Sequence, residues 1–235
     1  MRELVDMSYR KRSNPKTIRK SSRLVIVVEG ETEYDYLDRL RLALGIAEPI
    51  VTIKKAPGGD LLTCVKELER EIEKQRKEDI FNEVAGDKGF VVCDGDEHLV
   101  GEDGKYCQSL IENANTGFQI INSCDFYEFA ISNPTFDYWL YLHFKNEVPP
   151  MDQGQVLQKL RMIPGFENFN KRITKEMFEI LLPKIDEAAS RAKAIFEDKL
   201  AVAENPVFWL QENPYTKMYE LVCTLNKIAE RNSRE

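Results

Sequence analysis

Short, continuous runs of apolar residues recur in the first half of the chain. Leu24–Val28 and Phe90–Cys93 are mostly β-branched or aromatic, which predicts strands buried on both faces of a parallel sheet. Three further segments are strand candidates: Ile50–Lys54, Phe118–Ile121 and Tyr127–Ile131. Between these runs, apolar residues recur at helical spacing, and the predicted helices span about residues 33–44, 61–76 and 105–114. The alternation predicts an α/β fold, a mainly parallel sheet flanked by helices, over residues 24 to about 132.

After Pro134 the pattern is helical. The aromatic-rich segment Phe136–Phe144 predicts one helix, and longer helices are predicted over Lys175–Ala203 and Thr216–Arg231, with no β-rich run between them. The Pro- and Gln-containing segment Val148–Gln155 is the expected joint. We therefore expect a basic arm over residues 1–23, an α/β core over 24–147 and a helical C-terminal region over 148–235.

Three polar residues stand where helices are expected to begin. Thr32 and Asp60 are candidate caps for the helices that follow them. Asn133 is expected to cap a helix that starts at Pro134, because proline is favoured at the first helical position. A contact of Asn133 with substrate is the alternative.

The composition excludes several classes of protein. Apolar residues make up 43% of the chain, which is enough for a sizeable core and argues against a wholly disordered protein. No apolar run approaches the ~20 residues that cross a bilayer, and no apolar segment follows the charged N-terminus as in a secretory signal. The five cysteines include no CxxC pair, so neither a zinc ribbon nor a disulfide framework is expected. A cytoplasmic location without membrane contact follows.

Positive charge is concentrated at the N-terminus. Residues 1–23 carry eight Lys or Arg and two acids, although the whole chain has a formal net charge of −7. The segment Arg10–Arg23 has no acid and no apolar face, so it is predicted to be a flexible arm. It could bind nucleic-acid phosphates by counterion release, serve as a solubilising tail, or dock on the acidic body of a second copy. Its candidate nucleic-acid-binding residues are Arg10, Lys11, Arg12, Lys16, Arg19 and Lys20.

Two acidic turns each follow a buried strand. Glu29-Gly30 comes directly after Leu24–Val28, and Asp94-Gly95-Asp96 comes directly after the second run. Ligand sites in open α/β sheets lie at the carboxyl ends of strands, so the turns meet if their strands are neighbours. Clustered carboxylates repel one another unless a cation joins them, and their oxygens suit Mg²⁺ or Mn²⁺. A divalent-metal site is one interpretation; the other is that Asp and Gly are simply good turn residues.

These turns and two downstream segments resemble known families. Glu29-Gly30 and Asp94-Gly95-Asp96 look like the two motifs of the Toprim domain, which primases, topoisomerases and OLD-type nucleases share. Residues 132–144, SNPTFDYWLYLHF, resemble the SNPxFExWLxLHF signature of the RloB family. Residues 213–222, NPYTKMYELV, resemble its closing NPxTxVxxLV segment. The resemblance to this family is collinear over roughly residues 10–231; Thr135 and Asp137 stand where the family usually has Cys and Glu.

The resemblance implies a Toprim-like core, a bound divalent metal and phosphodiester chemistry. RloB-like proteins are bacterial or archaeal, and they are associated with abortive-infection systems, often beside a partner ATPase. The resemblance implies that Glu29 is a general acid or base and a metal ligand, and that Asp94 and Asp96 are metal ligands with a part in catalysis. The EGxTE form of OLD-type nucleases adds Glu33 to the metal ligands, and Asp137 is a further candidate at a second site.

His143 has two interpretations. It could orient water or protonate a leaving oxygen, or it could be a buried histidine bonded to a backbone carbonyl at a helix end. Its separation of six residues from Asp137 means that the two would not share one face of a helix. The surrounding aromatic residues, 126–144, could stack on single-stranded nucleic acid, although core packing is favoured because Lys and Arg are almost absent among them.

The function predicted from these features is a Mg²⁺- or Mn²⁺-dependent nuclease that acts on DNA or RNA as an effector of antiviral defence, with a partner ATPase. A non-catalytic sensor subunit that docks on an ATPase is the main alternative. Nucleotidyl transfer with the same carboxylates is a second alternative. Assembly into a homo-oligomer is left open.

Overall fold

The computed structural model describes residues 22–95, 107–146, 149–200 and 212–233. The strands are β1 (Leu24–Val28), β2 (Val51–Lys55), β3 (Lys88–Asp94), β4 (Tyr127–Asn133) and β5 (Tyr215–Thr216). The α-helices are α1 (Glu31–Ala43), α2 (Leu61–Lys77), α3 (Gln108–Asn122), α4 (Phe136–Leu142), α5 (Gln153–Arg161), α6 (Lys175–Leu181), α7 (Ile185–Leu200) and α8 (Met218–Ser233). Short 3₁₀ helices cover Glu83–Ala85 and Leu182–Lys184.

The strands form one sheet in the order β2-β1-β3-β4-β5. The first four strands are parallel, and β5 pairs antiparallel with β4 through Ser132 and Thr216. The predicted α/β fold with a mainly parallel sheet flanked by helices is therefore confirmed. The chain leaves β1 towards β2 on one side and leaves β3 towards β4 on the other, so the strand order reverses between β1 and β3. Such a reversal opens a crevice at the carboxyl ends of the two strands.

The sheet is buried between helices. All five residues of β1 are buried, as expected for a central strand covered on both faces. On α1, Tyr36 makes edge-to-face ring contacts with Phe136 and Trp139 of α4, with centroids 5.6 and 6.1 Å apart. The favoured prediction for this aromatic segment, core packing, is confirmed for α4, all of whose residues are buried. None of the described helices is long and apolar enough to cross a bilayer.

Two predicted elements differ in the structure. Phe118–Ile121 is not a strand but the last part of α3, whose buried residues Ala114, Gly117, Phe118 and Ile121 follow helical spacing. The long helix expected from Lys175 is divided by the 3₁₀ turn Leu182–Lys184, because Pro183 has no N–H for a helical hydrogen bond.

The expected joint, Val148–Gln155, overlaps the start of α5. Its last residues start α5, where Asp152 and Gln155 form a capping box.

Two predicted helix caps were wrong and one is confirmed. Gly30, not Thr32, is the N-cap of α1, and the Thr32 hydroxyl donates instead to the carbonyl of Lys171. Thr135, not Asn133, precedes α4, and Asn133 lies at the end of β4. The predicted cap at Asp60 is confirmed, because its carboxylate accepts a 2.9 Å hydrogen bond from the backbone N–H of Thr63.

Candidate functional site

A cavity of about 410 Å³ opens at the carboxyl ends of β1 and β3. Four of the five predicted metal ligands line it: Glu29 after β1, Glu33 in α1, Asp94 at the end of β3 and Asp137 in α4. The fifth, Asp96, lies outside the described residues. The other lining residues are Gly30, Glu31, Thr32, Phe136, Gln153, Asn170, Lys171 and Arg172.

Hydrogen bonds join the two acidic turns. The backbone N–H of Glu29 donates to the carbonyl of Val92 over 3.1 Å, which continues the β1–β3 register past the end of β1. In the reverse direction, the Glu29 carboxylate accepts a hydrogen bond from the backbone N–H of Asp94, with the atoms 3.2 Å apart. The sequence prediction that these turns meet if their strands are neighbours is thus confirmed for Glu29 and Asp94.

The same network fixes α4 beside the turns. The Asp94 carboxylate accepts a 2.7 Å hydrogen bond from the backbone N–H of Phe136, the first residue of α4. A carboxylate is a favourable partner at a helix N-terminus, where backbone N–H groups are otherwise unpaired. Asp137 is the next residue, so this bond also brings its side chain to the cavity.

Gly30 leaves room for Glu33 in the turn before α1. A Cβ atom on Gly30 would lie 2.7 Å from Oε2 of Glu33, closer than side-chain atoms approach one another. The absence of a side chain at Gly30 therefore lets Glu33, in the first turn of α1, lie back over the end of β1. Gly30 has an extended backbone that any residue can adopt, so the space left by its missing side chain is what matters here.

Burial and mutual repulsion perturb the carboxyl groups of the cavity. Burial raises the pKa of Glu33 from 4.5 to about 7, and the charges of Glu29 and Asp137 add to this increase. Burial raises the pKa of Asp94 well above its usual value, and Glu33 and Glu29 raise it further. The charges of these carboxyl groups therefore raise one another's pKa values, and a bound cation would favour their ionised forms.

Lys171 lines the cavity beside Asp137, and no pattern in the sequence predicts it there. Its Nζ lies 2.8 Å from Oδ2 of Asp137, whose side chain is only 1% exposed. Burial raises the pKa of Asp137, while the charge of Lys171 opposes that increase. Lys171 lies in the segment between α5 and α6 with no recognisable motif around it, so only its tertiary contacts identify it.

His143 is placed away from the cavity lining. It is 1% exposed, with Nδ1 3.0 Å from the carbonyl of Trp139 and Nε2 3.2 Å from the hydroxyl of Tyr36. A carbonyl only accepts, so Nδ1 carries the proton and Nε2 accepts from Tyr36. Burial lowers the pKa of His143 to about 3, which keeps the ring neutral. The structure matches the second interpretation, a buried histidine at a helix end, and gives no support to a catalytic role.

The acidic residues of the cavity are of the type that binds a hard divalent cation. The carboxylates offer only oxygen donors, and Oδ1 of Asp137 is buried without a hydrogen-bond partner in the described structure. Among the described residues, however, no three Asp, Glu, His or Cys side chains form a ready-made metal site. A bound cation would therefore need these side chains to draw closer together. The six predicted nucleic-acid-binding residues of the arm lie outside the described residues.

Comparison with known proteins identifies the family. A family model described as RloB-like protein matches residues 24–225, which covers the sheet, the cavity and most of the C-terminal helices. No curated protein and no solved structure matches the chain. The match extends over most of the sequence and includes every described residue of the cavity. The chain therefore belongs to the RloB-like family.

Proposed function

We propose that this RloB-like chain is a divalent-metal-dependent nuclease that hydrolyses phosphodiester bonds in DNA or RNA. The observation that carries the proposal is the hydrogen-bonded pairing of Glu29 with Asp94 at the point where the strand order reverses. Glu33 and Asp137 lie in the same cavity, so four acidic side chains surround the position expected for a ligand in this type of sheet.

Glu29 and Asp94 would hold the cation, with Glu33 and Asp137 as further ligands and Mg²⁺ or Mn²⁺ as the metal. When bound, such a cation supplies an activated water and neutralises charge that develops on the phosphate. The protein itself contributes orientation, since Asp94 is fixed by the N–H of Phe136 and Glu29 by the N–H of Asp94.

Three cations stand in or beside the cavity, each paired with an acidic side chain of the protein. Lys171 and Arg172 line the cavity, and Lys55 pairs with Glu31, which also lines it. These groups would contact the phosphates that flank the one being cleaved, without reading bases. The basic arm would add further sequence-independent affinity.

The biological part of the proposal rests on the family. As a member of the RloB-like family, the chain would act in the cytoplasm as an effector of antiviral or abortive-infection defence, together with a partner ATPase. A catalytically silent subunit that docks on the ATPase is the competing function, and cleavage assays separate the two.

The proposal is tested by cleavage assays on single- and double-stranded DNA and RNA, with Mg²⁺, Mn²⁺ or EDTA, in the presence and absence of the partner ATPase. Asp94→Asn keeps the oxygen that accepts from Phe136 but removes the charge. Its cleavage rate should fall by more than about 100-fold, since loss of even an outer-shell partner of a metal site costs about 10–100-fold.

Asp79→Asn is the matched control. Asp79 is exposed and has a backbone φ of 56°, a conformation that asparagine tolerates, so its cleavage rate should equal that of the wild type. Undiminished cleavage by Asp94→Asn would refute the proposal. Failure of the wild type to cleave under every condition, with the ATPase included, would instead favour the docking subunit.

A further inference from the structure

We infer that Lys171 is a built-in counter-ion of the carboxylate cavity, and that its ammonium group and a divalent cation compete for Asp137. This inference rests on the proposed function and extends it, because it assigns to one residue of this chain the control of metal occupancy. It follows from three observations: the contacts of Lys171, the way its backbone is held, and the exposure of its side chain.

The ammonium group of Lys171 lies among the carboxylates that are proposed to bind the cation. Its Nζ is 2.8 Å from Oδ2 of Asp137, and its charge also acts on the carboxyl groups of Glu33 and Asp94. In the protein without metal, Lys171 therefore supplies part of the positive charge that three buried acids require. A divalent cation would have to take over this contact to reach both oxygens of Asp137.

The backbone around Lys171 is held by α1. Lys171 has a φ of 56°, which is uncommon for a residue with a side chain. Its carbonyl accepts a 2.9 Å hydrogen bond from the hydroxyl of Thr32, and the next residue, Arg172, pairs with Asp35 over 2.7 Å. Since Thr32, Asp35 and Glu33 all belong to α1, the lysine and an acid that it neutralises are positioned by the same helix.

The side chain of Lys171 has a route out of the cavity. It is 42% exposed, whereas the side chain of Asp137 is 1% exposed. A lysine ammonium is a single charge on a flexible stem, while a divalent cation carries twice the charge and prefers several oxygen ligands. The cation can thus displace the ammonium group towards solvent without movement of the backbone that α1 holds. Lys171 would raise the metal concentration that is needed to fill the site.

The first arm of the test measures binding of Mn²⁺ to the full-length protein by titration calorimetry and electron paramagnetic resonance. Lys171→Met keeps much of the side-chain length but removes the charge, and it should tighten the Kd for Mn²⁺ by roughly tenfold. Lys171→Arg keeps the charge and should bind Mn²⁺ like the wild type. Lys66→Met, at an exposed position of α2, is the matched control and should also leave the Kd unchanged.

The second arm needs no metal. In EDTA, Lys171→Met should lower the Tm because the buried acids lose their counter-ion, and adding Asp137→Asn should restore much of that loss. Such non-additivity is the signature of a direct interaction between two residues. Additive effects of the two substitutions would contradict the inference, as would an equal or weaker affinity of Lys171→Met for Mn²⁺.

The two proposals can fail separately. Metal-dependent cleavage by a protein whose Mn²⁺ affinity does not respond to Lys171→Met overturns the inference alone. Tighter Mn²⁺ binding by Lys171→Met in a protein that cleaves no nucleic acid, even with the ATPase, overturns the nuclease and leaves the competition at Asp137 in place.

Discussion

Neutralising Glu33 should stabilise the metal-free protein at neutral and alkaline pH but not in acid. Glu33 is 5% exposed, and burial, with the charges of Glu29 and Asp137, raises its pKa from 4.5 to about 7. A carboxyl group with a higher pKa in the folded protein binds its proton more tightly there than in the unfolded chain. This tighter proton binding stabilises the folded protein fully below about pH 4.5, and the stabilisation is lost as the pH rises through 7.

The magnitude follows from the two pKa values. At ~1.4 kcal/mol for each pH unit between them, the ionised Glu33 costs the folded protein about 3 kcal/mol. Glutamine cannot ionise, so Glu33→Gln does not incur this cost. The free energy of unfolding of Glu33→Gln should match that of the wild type near pH 4.5 and exceed it by about 3 kcal/mol near pH 8.5.

The assay is urea-induced unfolding in EDTA, followed by tryptophan fluorescence between pH 4.5 and 8.5. Glu48→Gln is the control, because Glu48 is exposed and its replacement should leave the pH dependence of the wild type unchanged. If the difference in free energy of unfolding between Glu33→Gln and wild type stays constant over this range, or grows towards acid, ionisation of Glu33 does not destabilise the fold.

Two further substitutions test the packing around the site. Tyr36→Phe removes the hydrogen bond from the Tyr36 hydroxyl to His143 and should lower the free energy of unfolding in urea by about 1 kcal/mol; an unchanged value would show that this buried bond does not hold α1 to α4. Gly89→Ala would place a Cβ atom 2.8 Å from Cδ1 of Ile72 and 3.1 Å from Leu68, so calorimetry should show a lower Tm, equivalent to roughly 1–3 kcal/mol; a wild-type Tm would mean that α2 shifts freely.

The central strands could be predicted from the sequence because their signals are local. Leu24–Val28 is apolar at every position, which leaves a doubly covered strand as the natural interpretation. The segment Phe118–Ile121 is too short for its period to distinguish strand from helix, and the helical pattern becomes visible only when Ala114 is included. β5 has only two residues, and it is a strand because it pairs with the edge of β4. No apolar run in the sequence marks it.

The acidic residues of the site could also be predicted from the sequence, whereas the basic residue Lys171 could not. Glu29 and Asp94 follow strand signals directly, so parallel-sheet geometry predicts that they approach one another. Lys171 is brought to Asp137 by contacts between segments far apart in the chain, such as the hydrogen bond from Thr32. Sequence spacing also left the role of His143 undecided, since its hydrogen-bond partner Tyr36 is 107 residues away in the chain.

Anomalous scattering from crystals soaked in Mn²⁺ would show directly whether Glu29 and Asp94 hold a divalent cation together. We expect a peak in the cavity within about 2.0–2.6 Å of carboxylate oxygens from both Glu29 and Asp94, and no peak there in Asp94→Asn. A wild-type cavity without Mn²⁺ at millimolar concentration, or a peak bound only by other residues, would contradict this expectation.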